Sequence, residues 1–93
     1  MDTQYSADAR RKRLLRGLGA AVRAKRGERG LTLKALAKVA HVSERFLAAL
    51  ESGEGNISVA RLADVADAPG TSAADLLAHG AERPAPFDGV IAL

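Results

Sequence analysis

The residues best placed to do chemistry lie in the stretch HVSERFLAALESG, which begins at His41. If a helix begins at Ser43, successive side chains turn by about 100° around its axis. The apolar residues then share one side of the helix: Phe46, Leu47 and Leu50. The opposite side carries two charged residues followed by three small ones: Glu44, Arg45, Ala48, Ala49 and Ser52. A helix side that only faces water usually carries long Lys, Glu and Gln side chains. The small residues therefore indicate that this side has a role other than solubility.

The same part of the chain has no catalytic or metal-binding pattern. His41 and His79 are 38 residues apart, and neither has a partner at metal-ligand spacing. Four serines are better explained as helix caps or small surface residues than as nucleophiles: Ser43, Ser52, Ser58 and Ser72. Gly53 and Gly55 lack the spacing and the preceding strand of a phosphate-binding loop. We therefore expect no enzyme, no cofactor and no metal.

Length and composition restrict the class of protein further. The 93 residues correspond to one small domain, and the absence of Cys excludes disulfides and thiol nucleophiles and suits a reducing cytosol. The sequence contains no signal-peptide pattern and no apolar run of about 18 residues, so we expect a cytoplasmic protein that makes no contact with a membrane. Alanine occurs 20 times and aromatic residues only three times, which favours helices over strands.

The two halves of the chain carry opposite charge. Residues 1–45 hold 12 Lys or Arg and four acids, which gives +8, whereas residues 46–93 hold two Arg and seven acids, which gives −5. This asymmetry indicates a basic surface for a polyanion, with an acidic end directed elsewhere. The alternative is a charged face that is only solvated.

Apolar spacing and capping residues predict five short helices and no strand. The first helix carries one stripe along its length: Leu14, Leu18, Ala21, Val22 and Lys25. The next three helices follow Ser or Thr N-caps: Thr32, Ser43 and Ser58. The first helix ends at Gly27 or Gly30, and the fifth begins with the capping-box-like pair Ser72 and Asp75 and ends at Gly80.

Domain limits follow from these helices. We expect residues 1–9 to be a disordered segment and residues 10–80 to be the folded domain. Residues 81–93 contain Pro84 and Pro86 and are expected to be a C-terminal tail or linker. Gly17 and Gly19 each weaken the first helix by up to about 1 kcal/mol relative to Ala.

Residues 33–52 have the pattern of a helix-turn-helix, in which two helices meet at a steep angle across a short turn. The apolar positions on the two helices are Leu36, Ala40, Leu47 and Leu50. Val42 is apolar within the turn, and Ala37 is small where two crossing helices need a small side chain. A general helical hairpin would not require both of these features together.

With these residues in view, the chain resembles the phage-repressor-like helix-turn-helix family, also called XRE or Cro/C1-type. The resemblance runs from Leu18 to His79 and is carried by LGAAVRAKRGERGLTLKALAKVAHVSERFLAALESGEGNISVARLADVAD and by TSAADLL. It implies an all-α, compact five-helix fold of the lambda-repressor type that binds operator DNA, generally as a dimer. The chain departs from the family at His41, where Gly is usual in the turn, and at Pro69, where an aliphatic residue is usual.

By this resemblance the second helix of the motif is the recognition helix, and its bare side faces the base edges of the major groove. Arg45 is then expected to place its planar fork on guanine O6 and N7. Glu44 either accepts a hydrogen bond from a cytosine amino group or holds Arg45 in place. Ala48 and Ala49 are expected to lie against thymine methyl groups.

Other residues are expected to position the domain on the double-stranded DNA without reading its sequence. The expected phosphate contacts are Thr32, Leu33, Lys34, Lys38, Ser43 and Asn56. The first three belong to a helix N-terminus, whose free N–H groups and dipole attract a phosphate. The resemblance also implies a partly buried structural ion pair between Arg26 and Glu51, and the alternative is two solvated charges.

A cluster of basic residues near the start of the chain has two interpretations. The cluster consists of Arg10, Arg11, Lys12, Arg13 and Arg16. It is either a flexible arm that follows the DNA backbone or enters a minor groove, or the solvated start of a long first helix.

Taken together, these features predict a sequence-specific transcription regulator, typically a repressor-like protein, that binds a short pseudo-palindromic operator as a homodimer. Its pairing surface is expected at the fifth helix and the tail: Leu76, Leu77, Phe87, Val90, Ile91 and Leu93. The alternatives are an antitoxin that binds a toxin and its own operator, and a protein-interaction adaptor on the same fold. The stretch VSERFLAALESGEGNIS also resembles, more narrowly, regulators of aromatic-acid breakdown whose helix-turn-helix is fused to a shikimate-kinase-like domain.

Overall fold

The computed structural model describes the backbone of residues 3–82 and the side chains of residues 7–80. This part of the chain forms five α-helices and no strand: α1 Thr3–Glu28, α2 Leu33–Ala40, α3 Glu44–Glu51, α4 Val59–Asp67 and α5 Ala73–Glu82. The prediction of an all-α, five-helix domain is therefore confirmed. No helix within the described range is long and apolar enough to cross a membrane.

Side-chain caps begin four of the helices. The hydroxyl oxygens of Thr32, Ser43 and Ser58 accept the N–H groups three residues later at 3.0, 2.9 and 3.1 Å. Ser72 accepts the N–H of Asp75 at 3.0 Å in the same way. Each bond satisfies one of the N–H groups that a helix start leaves without an intrahelical acceptor. These starts are local properties, and the four predicted caps are confirmed.

Four helices end in a left-handed residue, in the arrangement known as the Schellman motif. At the end of α2 the N–H of Val42 donates to the carbonyl of Ala37 at 3.0 Å, and the N–H of His41 donates to that of Lys38 at 3.3 Å. The corresponding bonds close α1, α3 and α4 around glycines with φ of 67°, 78° and 82°: Gly30, Gly53 and Gly70. His41 has φ of 60° and so occupies, with a Cβ, a conformation that the other three helices give to glycine.

One apolar core joins all five helices. Its largest fully buried side chains are Leu36, Leu47, Leu50, Leu76, Val22 and Val65. Leu18 and Ala21 of α1 are buried as expected, but Leu14, predicted on the same stripe, is 48% exposed. Leu14 precedes the buried segment of α1, which begins near Leu18, and the other helices do not cover this part of α1. Helical periodicity predicts which side of a helix is apolar, but not how far along the helix that side is buried.

Helix α1 crosses two other helices at backbone contact, and glycines make this possible. A Cβ on Gly17 would lie 2.5 Å from the carbonyl oxygen of Gly80 in α5, and a Cβ on Gly19 would lie 2.3 Å from that of Leu50 in α3. The helix-propensity cost of these two glycines is thus offset by packing that no larger residue permits.

The ends of α1 and α5 differ from the sequence-based expectation. The sequence predicts disorder for residues 1–9, but residues 3–9 continue α1 without a break, because this segment lacks Gly and Pro. The sequence also predicts that α5 ends at Gly80, but the helix continues to Glu82. Gly80 is glycine because α5 meets Gly17 there, not because it caps the helix. The domain limits themselves remain a prediction.

Candidate nucleic-acid interface

Helices α2 and α3 pack tightly across the turn at His41. Leu36, Ala37 and Ala40 of α2 are at most 2% exposed, and so are Leu47 and Leu50 of α3. Ala37 is buried where the two helices meet, which agrees with the small side chain that a steep crossing needs. Val42 in the turn is half-buried and packs against the core. The apolar sides of both helices are therefore buried in the core, and their opposite sides are not part of it.

The free side of α3 contains all four residues predicted to contact bases. Glu44 and Arg45 are exposed in the first turn, and Ala48 and Ala49 are half-buried one turn later. Ala49 lies beside the following loop, where a Cβ on Gly55 would be 3.9 Å from the Ala49 Cβ. The result is a shallow surface with one long cation at its N-terminal end, so a flat or edge-on ligand group can reach the backbone closely.

The N-terminal end of α2 presents several donors together. Thr32 Oγ1 accepts the N–H of Ala35, so its own hydroxyl proton remains available to an acceptor. The N–H groups of Leu33 and Lys34 belong to the first turn, which has no intrahelical acceptors. The Leu33 side chain is half-buried against the core, so only its N–H can serve a ligand. Lys34 and Lys38 are both exposed.

The two other predicted phosphate contacts lie outside α2. Ser43 is exposed, and its hydroxyl accepts the N–H of Phe46 at 2.9 Å, which again leaves the hydroxyl proton free to be donated. Asn56 is exposed in the loop between α3 and α4. The predicted phosphate contacts are thus spread over the start of α2, the start of α3 and this loop.

Arg26 and Glu51 form a bidentate ion pair between the end of α1 and the end of α3. Arg26 Nε donates to Glu51 Oε2 at 2.7 Å and Nη2 donates to Oε1 at 3.0 Å, while Nη1 donates to the carbonyl of Leu31 at 3.0 Å. The side chains are 19% and 8% exposed. The hydrogen bonds and charge of Glu51 raise the pKa of Arg26 above the usual arginine value, although burial opposes them. All three guanidinium nitrogens are occupied, so Arg26 fixes α3 against the start of α2.

Two arginine contacts have no signal in the sequence. The Arg61 guanidinium of α4 lies 5.8 Å from the centre of the Phe46 ring in α3, and the Arg29 Nε donates to the carbonyl of Pro69 at 2.8 Å. Arg61 stacks on the half-buried Phe46 and brings a positive charge beside the first turn of α3. The contacts join residues 15 and 40 positions apart, so no local spacing predicts them.

The basic cluster near the start of the chain lies on a helix. Arg10, Arg11, Lys12, Arg13 and Arg16 are all exposed residues of α1. The structure therefore places the cluster in the first half of a long helix. Within residues 7–80, no group of three or more His, Asp or Glu side chains is arranged to hold a metal ion.

Comparisons with known proteins agree with this geometry. The sequence profile of the helix-turn-helix family matches residues 22–76, which is more than half of the chain. The crystal structure of the clp gene regulator ClgR from Corynebacterium glutamicum is 43% identical with a TM-score of 0.70, and the match covers 73% of this chain and 72% of that chain. A second ClgR crystal structure from the same organism is 42% identical with a TM-score of 0.73, covering 77% and 92% of the two chains. The comparison with curated proteins gives no match.

The matched residues contain α2, the turn at His41 and α3, together with the loop and the helix that follow. The ClgR structures cover 73% and 77% of this chain, so the likeness extends beyond the helix-turn-helix motif. This chain is therefore a member of the XRE-type helix-turn-helix family of DNA-binding transcription regulators.

Proposed function

We propose that this protein is a cytoplasmic, sequence-specific transcription regulator that reads a short pseudo-palindromic operator through the major groove as a homodimer. The observation that carries the proposal is the free side of α3, where exposed Arg45 stands at the N-terminal end of a surface formed by Ala48 and Ala49. A helix with this side bare can approach base edges more closely than a helix covered with long side chains.

Sequence readout in this proposal depends on the first two turns of α3. The Arg45 guanidinium donates to guanine O6 and N7, a bidentate contact that no other base pair offers in the same place. Glu44 accepts from a cytosine amino group or orients Arg45. The methyl groups of Ala48 and Ala49 contact thymine methyl groups, which gives shape discrimination without hydrogen bonds.

Positioning in this proposal depends on the phosphate contacts. The N–H groups of Leu33 and Lys34 and the hydroxyl of Thr32 bind one phosphate at the positive end of the α2 dipole. Lys34 and Lys38 add charge, and Ser43 and Asn56 donate to further phosphates. These contacts set the register of α3 in the groove and impose a steep dependence of affinity on salt.

Homodimer formation is part of the same proposal, because one recognition helix contacts too few base pairs for operator-grade specificity. Leu76 is 1% exposed in the core, whereas the adjacent Leu77 is 36% exposed. This difference supports Leu77 as a contact to a second copy. The tail residues Phe87, Val90 and Ile91, with Leu93, lie outside the described residues and keep their predicted role in pairing. Sedimentation of the chain over a range of concentrations tests the dimer, which we expect to be weak without DNA.

Selection of bound duplexes from a random DNA pool, with the full chain, tests the proposed function. We expect a two-fold symmetric motif whose half-sites are about one helical turn, 10–10.5 base pairs, apart. Because the similar structures are clp gene regulators, fragments from clp gene promoters are suitable natural probes. Enrichment of no sequence, together with affinity that does not change with salt, would contradict the proposal and favour a protein-interaction adaptor.

A further inference from the structure

Three exposed cations on α1 share one side of the helix, and the helix-turn-helix contacts do not use them. At about 100° per residue, Lys12, Arg16 and Arg23 fall within about 40° of arc. All three are exposed, and we call this set the basic stripe. The ion pairs within residues 7–80 join Lys25 to Glu28 and Arg26 to Glu51, so the basic stripe is not neutralised within that range.

The side of α1 that carries the basic stripe is also the side that meets α3 and the loop after it. Gly19 and Arg26 lie within about 80° of Arg16 around the helix, and both contact the C-terminal end of α3. Arg16 itself adjoins the loop, because a Cβ on Gly53 would lie 2.9 Å from the Arg16 Cα and 3.0 Å from its Cγ. The basic stripe is therefore in direct continuity with the helix-turn-helix.

The basic stripe connects two of the proposed phosphate-contacting regions. At Arg16, between its two ends, it adjoins the loop that carries Asn56. Beyond its Arg23 end, Arg26 of the same helix donates to the carbonyl of Leu31, directly before the start of α2. At 1.5 Å per residue, Lys12 and Arg23 are about 16 Å apart along α1, so the stripe spans the distance of about five base-pair steps at 3.4 Å each.

We infer that the basic stripe is an additional binding surface for the phosphate backbone of double-stranded DNA, on phosphates beyond those contacted by α2, α3 and the loop. The inference rests on the proposed DNA-binding function. The ligand is a polyanion because the stripe offers three positive charges against two nearby acids, Asp8 one helical turn before Lys12 and Glu54 of the loop, both exposed. Duplex DNA is favoured over an acidic protein because the stripe adjoins the loop with proposed DNA contacts at Arg16 and leads towards the start of α2 beyond Arg23.

The same helix supplies a matched control. Arg10 and Arg11 are exposed like the stripe residues, but they lie about 120° and 140° around α1 from Arg16. Neutralising them removes two positive charges from a different side of the same helix, so the effect per charge can be compared with that of the three stripe residues. Substitution by Gln retains the first two aliphatic carbons of each side chain, including the Arg16 Cγ that lies against Gly53.

The experiment compares the triple variant Lys12→Gln/Arg16→Gln/Arg23→Gln with the double variant Arg10→Gln/Arg11→Gln and the unchanged chain. Affinity for a selected duplex with long flanks is measured over a range of salt concentrations, and phosphate contacts are mapped by ethylation interference. We expect the triple variant to lower the salt slope by about 2.7, at about 0.9 per phosphate contact. It should also lose specific ethylation signals while the selected sequence motif stays the same, and the double variant should keep the slope and the signals.

An unchanged slope in the triple variant, or an equal loss per charge in the double variant, overturns the inference and leaves the proposed function intact. Absence of salt-dependent DNA binding by the unchanged chain overturns the proposed function together with the inference. Circular dichroism of each variant establishes that it is folded, and the individual substitutions replace the triple variant if that chain is unfolded.

Discussion

Gly17 of α1 and Gly80 of α5 cross with their backbones in contact. A Cβ on Gly17 would lie 2.5 Å from the Gly80 carbonyl oxygen, and a Cβ on Gly80 would lie 2.7 Å from the Gly17 carbonyl carbon and oxygen. The obstacle on each side is backbone, which cannot rotate away as a side chain does. This reciprocal contact lets α5 pack along the first helix and bury Leu76.

Gly17→Ala should destabilise the domain although Ala is the better helix former. Overpacking costs about 1–3 kcal/mol and the gain in helix propensity is up to about 1 kcal/mol, so we expect a net loss of about 1–2 kcal/mol. Gly27→Ala is the matched control, because nothing lies within 4 Å of its Cβ position on the same helix. It should be neutral or stabilising by up to about 1 kcal/mol. Urea denaturation measures both, and equal gains for the two variants would show that α1 and α5 do not cross in this way.

The Arg26–Glu51 pair should be strongly coupled in a double-mutant cycle. Arg26→Met leaves a carboxylate that is 8% exposed without its partner, so we expect a loss of about 1.5–3 kcal/mol. Arg26→Met/Glu51→Met should cost less than the sum of the single variants. The control Lys25→Met breaks a solvent-exposed pair at 3.4 Å and should cost at most about 1 kcal/mol. Additive single effects would contradict the coupling.

The same pair predicts how stability responds to alkaline pH. The pKa of Arg26 is raised in the folded state, so protonated Arg26 stabilises the fold. This contribution to the free energy of unfolding is complete below the ordinary arginine pKa and is lost only as pH rises through the still higher pKa of the folded state. Between neutral pH and about pH 10 the guanidinium stays protonated. The difference in stability between the unchanged chain and Arg26→Met should therefore be constant over that range.

His41→Gly should stabilise the domain, because His41 has φ of 60°. Removing the Cβ from this left-handed position should raise the free energy of unfolding by about 1–2 kcal/mol. The greater conformational freedom of glycine in the unfolded chain offsets part of this gain, so we expect a net stabilisation of up to about 1 kcal/mol. The melting temperature should rise by up to about 4–8 °C, whereas His41→Val should lower it. His79→Gly, the same replacement inside α5, should be destabilising by roughly a few tenths of a kcal/mol, the difference in helix propensity between His and Gly. Equal melting temperatures for His, Gly and Val at position 41 would exclude the left-handed turn.

Arg45→Ala and Lys34→Ala should separate sequence readout from phosphate binding. Arg45→Ala should cost about 1–3 kcal/mol and relax the preference at one base position in each half-site. Lys34→Ala should weaken all sequences alike and lower the salt slope by about one. Selection from a random pool and salt titration measure the two effects. If Arg45→Ala left the selected motif unchanged, α3 would not be the recognition helix.

Features with local causes could be predicted from the sequence alone. Helix starts at Thr32, Ser43, Ser58 and Ser72 depend on a hydrogen bond that spans three residues, so residue type and position were sufficient to predict them. The pairing of α2 with α3 was also predictable, because the apolar positions and the turn lie within 20 consecutive residues. The side of α3 opposite its core residues followed from helical period alone, and its proposed contacts with bases stay a prediction.

Features that depend on contacts between residues far apart in the chain could not be predicted from local sequence. From its neighbours alone, Gly17 is expected only to weaken α1, and Gly80 is expected to end α5. The two residues are 63 positions apart in the chain, and their backbones can be in contact only because neither has a side chain. The stacking of Arg61 on Phe46 likewise depends on how α4 meets α3. Charge counts did not distinguish Lys12 and Arg16 from Arg10 and Arg11, because the difference arises only once α1 is a continuous helix with one side against the loop at Gly53. Helix propensity and capping determine where the helices form. Packing between helices that are distant in sequence determines which side of each helix stays exposed.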